Sequence, residues 1–439
     1  MRQITGTTEV KQYFYRIARQ KYIIVKKYLK TITKTQSVEE ETATFENEST
    51  LFENEIDYEY AEENGDNDLV KMFKALDPKK KWRLSTGKYV DNELFIFALQ
   101  CQGDHPSKSL IIDPGDSSYA QYGVFTKEEL DEIMNFEEKK LPLPPSHVVT
   151  HMDKYNLKTA LDIRSALQKN HTFEDNPDKD IDWINYTVYG LLREYESGNM
   201  KRHHSELWYQ THIWRMIETC FDKFEDLEVA IGEPMSSTNQ KRKNQMRTIS
   251  GIMPMVRKSM GHKCDSIFRT YQVKHSKGLE FGATEAKGNY DNSSDHLKDA
   301  LYKLPRTLKD MLDDLIVTKP ELRGSLQTVG FIHSGLANTM IQVDRPTEYV
   351  TRVTRHKTIE ISHSIEKFGA TVLPSILSAW ICAETVNQVF QLFTSSSEEE
   401  KDFFWMTNYL EKQKVSPIPV TSRSTETSSR RKKKTKITN

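Results

Sequence analysis

The chain has 439 residues, of which 37% are hydrophobic and 28% are charged. At roughly 100–200 residues per domain that length allows a few units. The apolar share falls short of the ~45–50% usual in globular domains, so part of the chain is expected to stay unpacked. A net charge of −1 hides strong segregation. Residues 1–36 carry nine basic side chains and one acid, Glu9, whereas residues 38–68 carry thirteen acids and no base. Near the other end, Arg430, Arg431, Lys432, Lys433, Lys434 and Lys436 crowd into one short run. Blocks of like charge repel themselves and stay solvated. No stretch approaches the ~20 apolar residues of a membrane span. The start lacks the apolar core and cleavage site of a secretory signal. Cys101, Cys220, Cys264 and Cys382 lie far apart with no CxxC pair. That excludes a disulfide scaffold and a zinc ribbon and suits a reducing compartment. A soluble intracellular protein with no membrane partner is expected.

In chain order, residues 1–75 read as a basic N-terminal helix and an acidic disordered spacer, with order starting near Trp82. Residues 76–200 read as a mainly helical region. VDNELFIFALQC has a helical period, and SLIID reads as a short strand entering the turn Asp113-Pro114-Gly115-Asp116. Thr126-Lys127-Glu128-Glu129 is a capping box that starts the helix KEELDEIMNF. After the break LPLPP, LKTALDIRSALQ and WINYTVYGLLREYE are helical.

Residues 201–396 read as an α/β domain. Ser205 caps a long helix, ELWYQTHIWRMIETCFDKF, whose stripe Gln210, Ile213, Trp214, Ile217, Phe221 and Phe224 marks a buried face. SSTNQKRKNQMR reads as a polar, basic loop. DSIFRTYQV and LEFGATEAK are strand-like, and DHLKDALYKLPRTLKDMLDDLI is a helix kinked or broken at Pro305. SLQTVGFIHS, ANTMIQVD and YVTRVTRHKTIEI read as strands, and LPSILSAWICAETVNQVFQLF as a helix. Residues 397–439 read as a disordered basic tail. There are no internal repeats.

Suppose the two strand-like segments before Pro305 form a hairpin centred on His275. Facing residues then have numbers summing to about 550, which sets Asp265 opposite Glu285, ~5 Å away. Glu285 and Lys287 share a face because strand side chains alternate. Two carboxylates with a backbone carbonyl such as that of Ala286 suit Mg²⁺ or Mn²⁺. A neighbouring lysine can orient or help deprotonate a water that attacks a phosphodiester. The plainer alternative has Asp265 ending a loop and Glu285 and Lys287 lining the solvent face of a hairpin.

These residues resemble the PD-(D/E)XK nuclease-like superfamily, in the form seen in large uncharacterised fungal families. Its core is a helix, a hairpin carrying Asp and then Glu-x-Lys, and a second helix. Asp265 matches the metal-binding Asp, Glu285-Ala286-Lys287 the Glu-x-Lys, and Glu206 the Glu on the first core helix. The resemblance implies a restriction-endonuclease-like core of helix, β-hairpin, helix, further strands and helix. It further implies a metal-dependent endonuclease acting on DNA rather than RNA, with Asp265, Glu285 and Glu206 as metal ligands. The alternative is an inactive nuclease-like module that binds nucleic acid or protein. Cys264 stands where the family has Pro. LEVAIGE or GIMPMV would supply the first strand.

Lys241, Arg242 and Lys243 are candidate phosphate contacts. Arg430, Arg431, Lys432, Lys433 and Lys434 suit nuclear import, so the nucleus is the expected compartment and the cytoplasm the alternative. His203, His204 and His212 lack the spacing of a zinc site and read as surface histidines.

Overall fold

The structure, a computed structural model, describes residues 67–101, 103–170, 178–245, 257–271, 278–287 and 302–395. The N-terminal basic arm, nearly all of the acidic stretch and the tail with Arg430 to Lys434 lie outside the described residues. Two compact units divide the described chain. One runs up to Phe136 and includes Thr347–Val350; the other holds Glu137–Pro346 and the residues from Thr351 onward. The division therefore falls inside the stretch 76–200 that the sequence presents as one helical region.

In the first unit, α1 (Asn67–Lys74) starts well before Trp82, where order was expected to begin. Its Leu69, Val70 and Phe73 recur at helical spacing and are buried, and Phe73 stacks on Phe95 with ring centroids 4.1 Å apart. That apolar stripe orders residues whose acidic neighbours suggested a spacer. Full burial of such a side chain stabilises by roughly 1.5–3 kcal/mol. Helix α2 (Val90–Gln100), the short strand β1 (Ile111–Ile112) and α3 (Ser117–Gln121) follow, the last capped by Asp116. Helix α4 (Lys127–Asn135) opens with the expected capping box. The Glu129 amide donates to Thr126 Oγ1 at 3.2 Å, and the Thr126 amide donates to Glu129 Oε2 at 2.8 Å.

The second unit starts with α5 (Ser146–Asp153), α6 (Ala160–Asn170) and α7 (Lys179–Glu196). The long helix expected after Ser205 is broken into α8 (Glu206–His212) and α9 (Arg215–Thr219). At the break the Trp214 indole N–H donates to the Gly335 carbonyl at 2.9 Å, and its ring stacks on His333. The apolar stripe survives, with Ile213, Trp214, Ile217 and Phe221 all buried.

The fold is mixed α/β. Strands β2 (Leu227–Ile231), β3 (Ser266–Thr270), β4 (Glu280–Lys287), β5 (Gln327–Ser334), β6 (Ala337–Asp344) and β7 (Thr351–Arg355) lie side by side in that order, and β8 (Ile359–Glu360) pairs with β6. Only β4 and β5 pair in parallel; the other pairs in this unit are antiparallel. The parallel step needs a crossover, which α11 (Leu304–Thr318) supplies. Helix α10 (Ser237–Lys243) lies between β2 and β3 in the chain. Pro305 sits in the first turn of α11, where a missing amide costs nothing; 295–301 of the longer expected helix lie outside the described residues. Of the two segments able to supply the first strand, LEVAIGE does so; 251–256 lies outside the described residues. YVTRVTRHKTIEI contributes two short strands, β7 and β8, instead of one.

Helix α12 (Phe368–Ser395) closes the described chain with 28 residues. Contrary to the expectation of no apolar span, Ile365–Thr394 is long and apolar enough to cross a membrane, with mean hydropathy 1.3. In the structure it packs on β4, β5 and β6, with Val372, Ile376, Ala379 and Val386 buried, and acts as a core helix.

His333 on β5 lies between Trp214 and Phe331, and burial pushes its imidazole down from 6.5 to about 3. Because the folded value is the lower one, the unfolded chain takes up this proton first as pH falls. The stability is complete above about pH 6.5 and is lost towards pH 3, amounting to roughly 2–3 kcal/mol by about pH 4.5. His333→Phe should therefore flatten the fall in urea midpoint across that interval. An unchanged slope would assign the titration to other groups. Asp91 in the first unit acts in the opposite sense, since burial raises its carboxyl to about 6.

Candidate metal and nucleic-acid site

Strands β3 and β4 pair as Ser266↔Thr284, Ile267↔Ala283 and Phe268↔Gly282, each pair summing to the expected 550. The register then slips at a bulge, and Arg269 faces Glu280. Residues 272–277, which join the strands, lie outside the described residues. Gly282 is required here: a Cβ would stand 2.1 Å from the Val329 carbonyl oxygen of β5 and 2.7 Å from the Phe268 ring.

One step beyond Ser266, the Asp265 amide donates to the Thr284 carbonyl at 3.1 Å. Its carboxylate oxygen Oδ2 accepts from the Ala286 amide at 2.7 Å. The Asp265 carboxylate is thus held against the peptide that follows Glu285. Glu285 is only 3% exposed, which removes the alternative of a solvent-facing carboxylate. Lys303, just before α11, donates from Nζ to Glu285 Oε2 at 2.6 Å. Lys287 is half-buried and shares the Glu285 face by strand alternation.

The surroundings are cationic and dry. Burial first, then the charges of Lys243, Arg242, Lys303 and Arg306, push the His262 imidazole down to about 3. Burial raises the Cys264 thiol well above its ordinary value, and the neighbouring Glu285 carboxylate raises it further, so the thiol stays protonated. Cys264, in place of the expected Pro, therefore presents a neutral group to the carboxylate.

Glu206 comes from a separate element, the first turn of α8, which lies beside β4. Among the described residues, no three of His, Cys, Asp and Glu are placed together to hold a metal ion. Continued by one residue, the β3–β4 register sets Asp265 across from Glu285, and Glu206 does not complete a trio with them.

The basic segment Lys241, Arg242 and Lys243 is helical, in α10, rather than a loop. Ser236 caps this helix by accepting from the Asn239 amide at 3.2 Å. Lys241 pairs with Asp314, Arg242 Nε lies 2.8 Å from Asp310 Oδ1, and Lys243 donates to the Met260 carbonyl at 3.2 Å. Asp310 and Asp314 stand one turn apart on α11, so α10 docks its cations onto an acidic row that neither segment reveals alone. These side chains are engaged within the fold.

The histidines form no zinc site. His204, Trp208 and His212 stack in a tier, at 3.6 and 4.8 Å between ring centroids, and His212 bonds Glu194 at 2.9 Å. Lys303 is the member of the cluster that sequence reasoning missed. Its place beside the helix-opening Leu304-Pro305 was the available signal, because the start of the second core helix lies against the strand carrying Glu-x-Lys. No family model, curated protein or solved structure matches the chain.

Proposed function

We propose that this protein is a metal-dependent endonuclease of the PD-(D/E)XK type, acting on DNA in the nucleus. The observation that carries this reading is the β3–β4 register, which sets Asp265 beside Glu285 with the Ala286 amide holding the aspartate. The order of helix, hairpin, crossover helix α11 and parallel strand β5 supports a restriction-endonuclease-like core. Nuclear placement rests on Arg430 to Lys434 alone.

The donors suit a hard divalent cation, since Asp265 and Glu285 offer carboxylate oxygens from neighbouring strand positions. Mg²⁺ or Mn²⁺ held there supplies positive charge for the phosphodiester and acidifies water. Asp265 is pre-oriented by the Ala286 amide, so it pays little ordering entropy on binding. Lys303 neutralises Glu285 at rest and must yield that oxygen to a cation. Lys287, further along the same face by strand alternation, would hold the attacking water and move a proton at Nζ.

The second reading is an inactive binding module. The Lys303–Glu285 ion pair favours it, because an internal ammonium already satisfies the carboxylate. Incubation of the purified protein with supercoiled plasmid separates the two. Nicking is expected with Mg²⁺ or Mn²⁺ and none in EDTA. DNA binding without nicking at any metal concentration would establish the second reading.

A further inference from the structure

A cleft of about 360 Å³ is lined by Lys201, Arg202, His203 and His363 on one side and by the β5–β6 turn on the other. That size falls in the ~300–1,000 Å³ range of small-ligand sites. The loop bearing the basic residues is anchored at both ends. Gly198 turns the chain at φ 73°, a conformation glycine adopts without strain. Met200 is buried, and its carbonyl accepts from His363 Nδ1. The Asn199 side-chain amide donates to Glu194 Oε2 at 2.6 Å, and its carbonyl meets His204 Nε2 at 2.9 Å. Between these anchors Lys201, Arg202 and His203 are exposed.

Their pairing differs from that of the α10 cations. Among the described residues no carboxylate pairs with Lys201, Arg202 or His203; Arg202 donates to the neutral Asn199 Oδ1 at 3.3 Å. Glu360 is the one acid lining the cleft. Among the described residues the cleft is therefore lined by two cations, Lys201 and Arg202, against one carboxylate, Glu360.

Its position links it to the carboxylate site. Lys287 and Ser334 are register partners at the ends of the parallel strands β4 and β5, and the Gly335 amide donates to the Lys287 carbonyl at 2.9 Å. Ligands of open α/β sheets bind beyond the carboxyl ends of such strands. We propose that this cleft seats backbone phosphates of a DNA strand beside Glu285 and Lys287. Naming DNA rests on the function proposed above; the basic lining of the cleft does not.

Each lysine or arginine on a phosphate releases condensed counterions, giving a slope of about −0.9 in log K against log salt per contact. The test compares the wild type with Lys201→Ala/Arg202→Ala/His203→Ala by fluorescence anisotropy of a short labelled DNA duplex. Between about 50 and about 200 mM salt, the variant should lose about two units of slope and bind about tenfold more weakly at low salt. Lys71→Ala/Lys127→Ala, which removes exposed charge from the first unit, should leave both quantities unchanged. Thermal unfolding of the triple variant should match wild type, since the three side chains are exposed. Wild-type slope and affinity in the triple variant, or a wild type that binds no DNA, would overturn the proposal. Nicking that persists with binding unaltered discards the cleft and keeps the hydrolase. A lost slope without nicking by the wild type discards the hydrolase and keeps the cleft.

Discussion

Asp265→Asn is expected to bring metal-dependent nicking below detection while the protein stays folded. The asparagine side chain keeps an oxygen that can accept from the Ala286 amide, the contact Asp265 makes at 2.7 Å, so the strand end should hold its place. What it lacks is the negative charge that a divalent cation requires of its oxygen ligands. Mn²⁺ binding, followed by electron paramagnetic resonance, should weaken in parallel with activity. Lys287→Ala should behave differently. Its amine serves the water rather than the ion, so turnover should fall by about 10² to 10⁴, the usual size of an acid–base contribution, with Mn²⁺ binding largely spared. Nicking that persists unchanged in both variants would mean a site elsewhere or a contaminating nuclease. Equal loss of metal binding in both would remove the distinct role assigned to Lys287.

The second large effect is on stability. Lys309 and Arg345 are both fully buried, and Asp313 is the carboxylate they share. Lys309 Nζ lies 2.6 Å from Asp313 Oδ2, while Arg345 pairs with Oδ1 and also donates to Thr351 Oγ1 at 3.2 Å. Burial pulls the Lys309 pKa down, and Asp313 opposes that pull. Removing one partner of a buried ion pair leaves charge in a low-dielectric site, which costs about 3–5 kcal/mol. Asp313→Ala should therefore lose stability of that order in urea unfolding at neutral pH. Lys309→Met in the same background should recover part of the loss, since a buried ammonium is replaced by an apolar chain of similar length. A loss of under about 1 kcal/mol for Asp313→Ala, the size seen for exposed pairs, would show that water reaches the cluster.

Local patterns were legible wherever neighbours in sequence are also neighbours in space. The Thr126 capping box, the Ser205 cap and the β3–β4 register sum all depend on short-range geometry, and the structure contains each of them. The register that sets Asp265 across from Glu285 belongs to the same class, because a hairpin's register is set over a short stretch of chain. The expected helix over 206–224 failed for a different reason. A continuous apolar stripe says which face is buried, but the break at Trp214 follows from the Gly335 carbonyl, 121 positions away.

Charge was least legible. Lys241, Arg242 and Lys243 look like free phosphate contacts because their partners, Asp310 and Asp314, sit on a helix some seventy residues on, a separation of 73 for Lys241 and Asp314. Lys201, Arg202 and His203 are exposed, and among the described residues no carboxylate pairs with them. A sequence records which residues carry charge and how apolar positions recur, and those set the elements and the hairpin register. Whether a given cation meets a carboxylate or solvent is an electrostatic question across distant elements. It is answered for α10 once the crossover of α11 brings its acidic row against it.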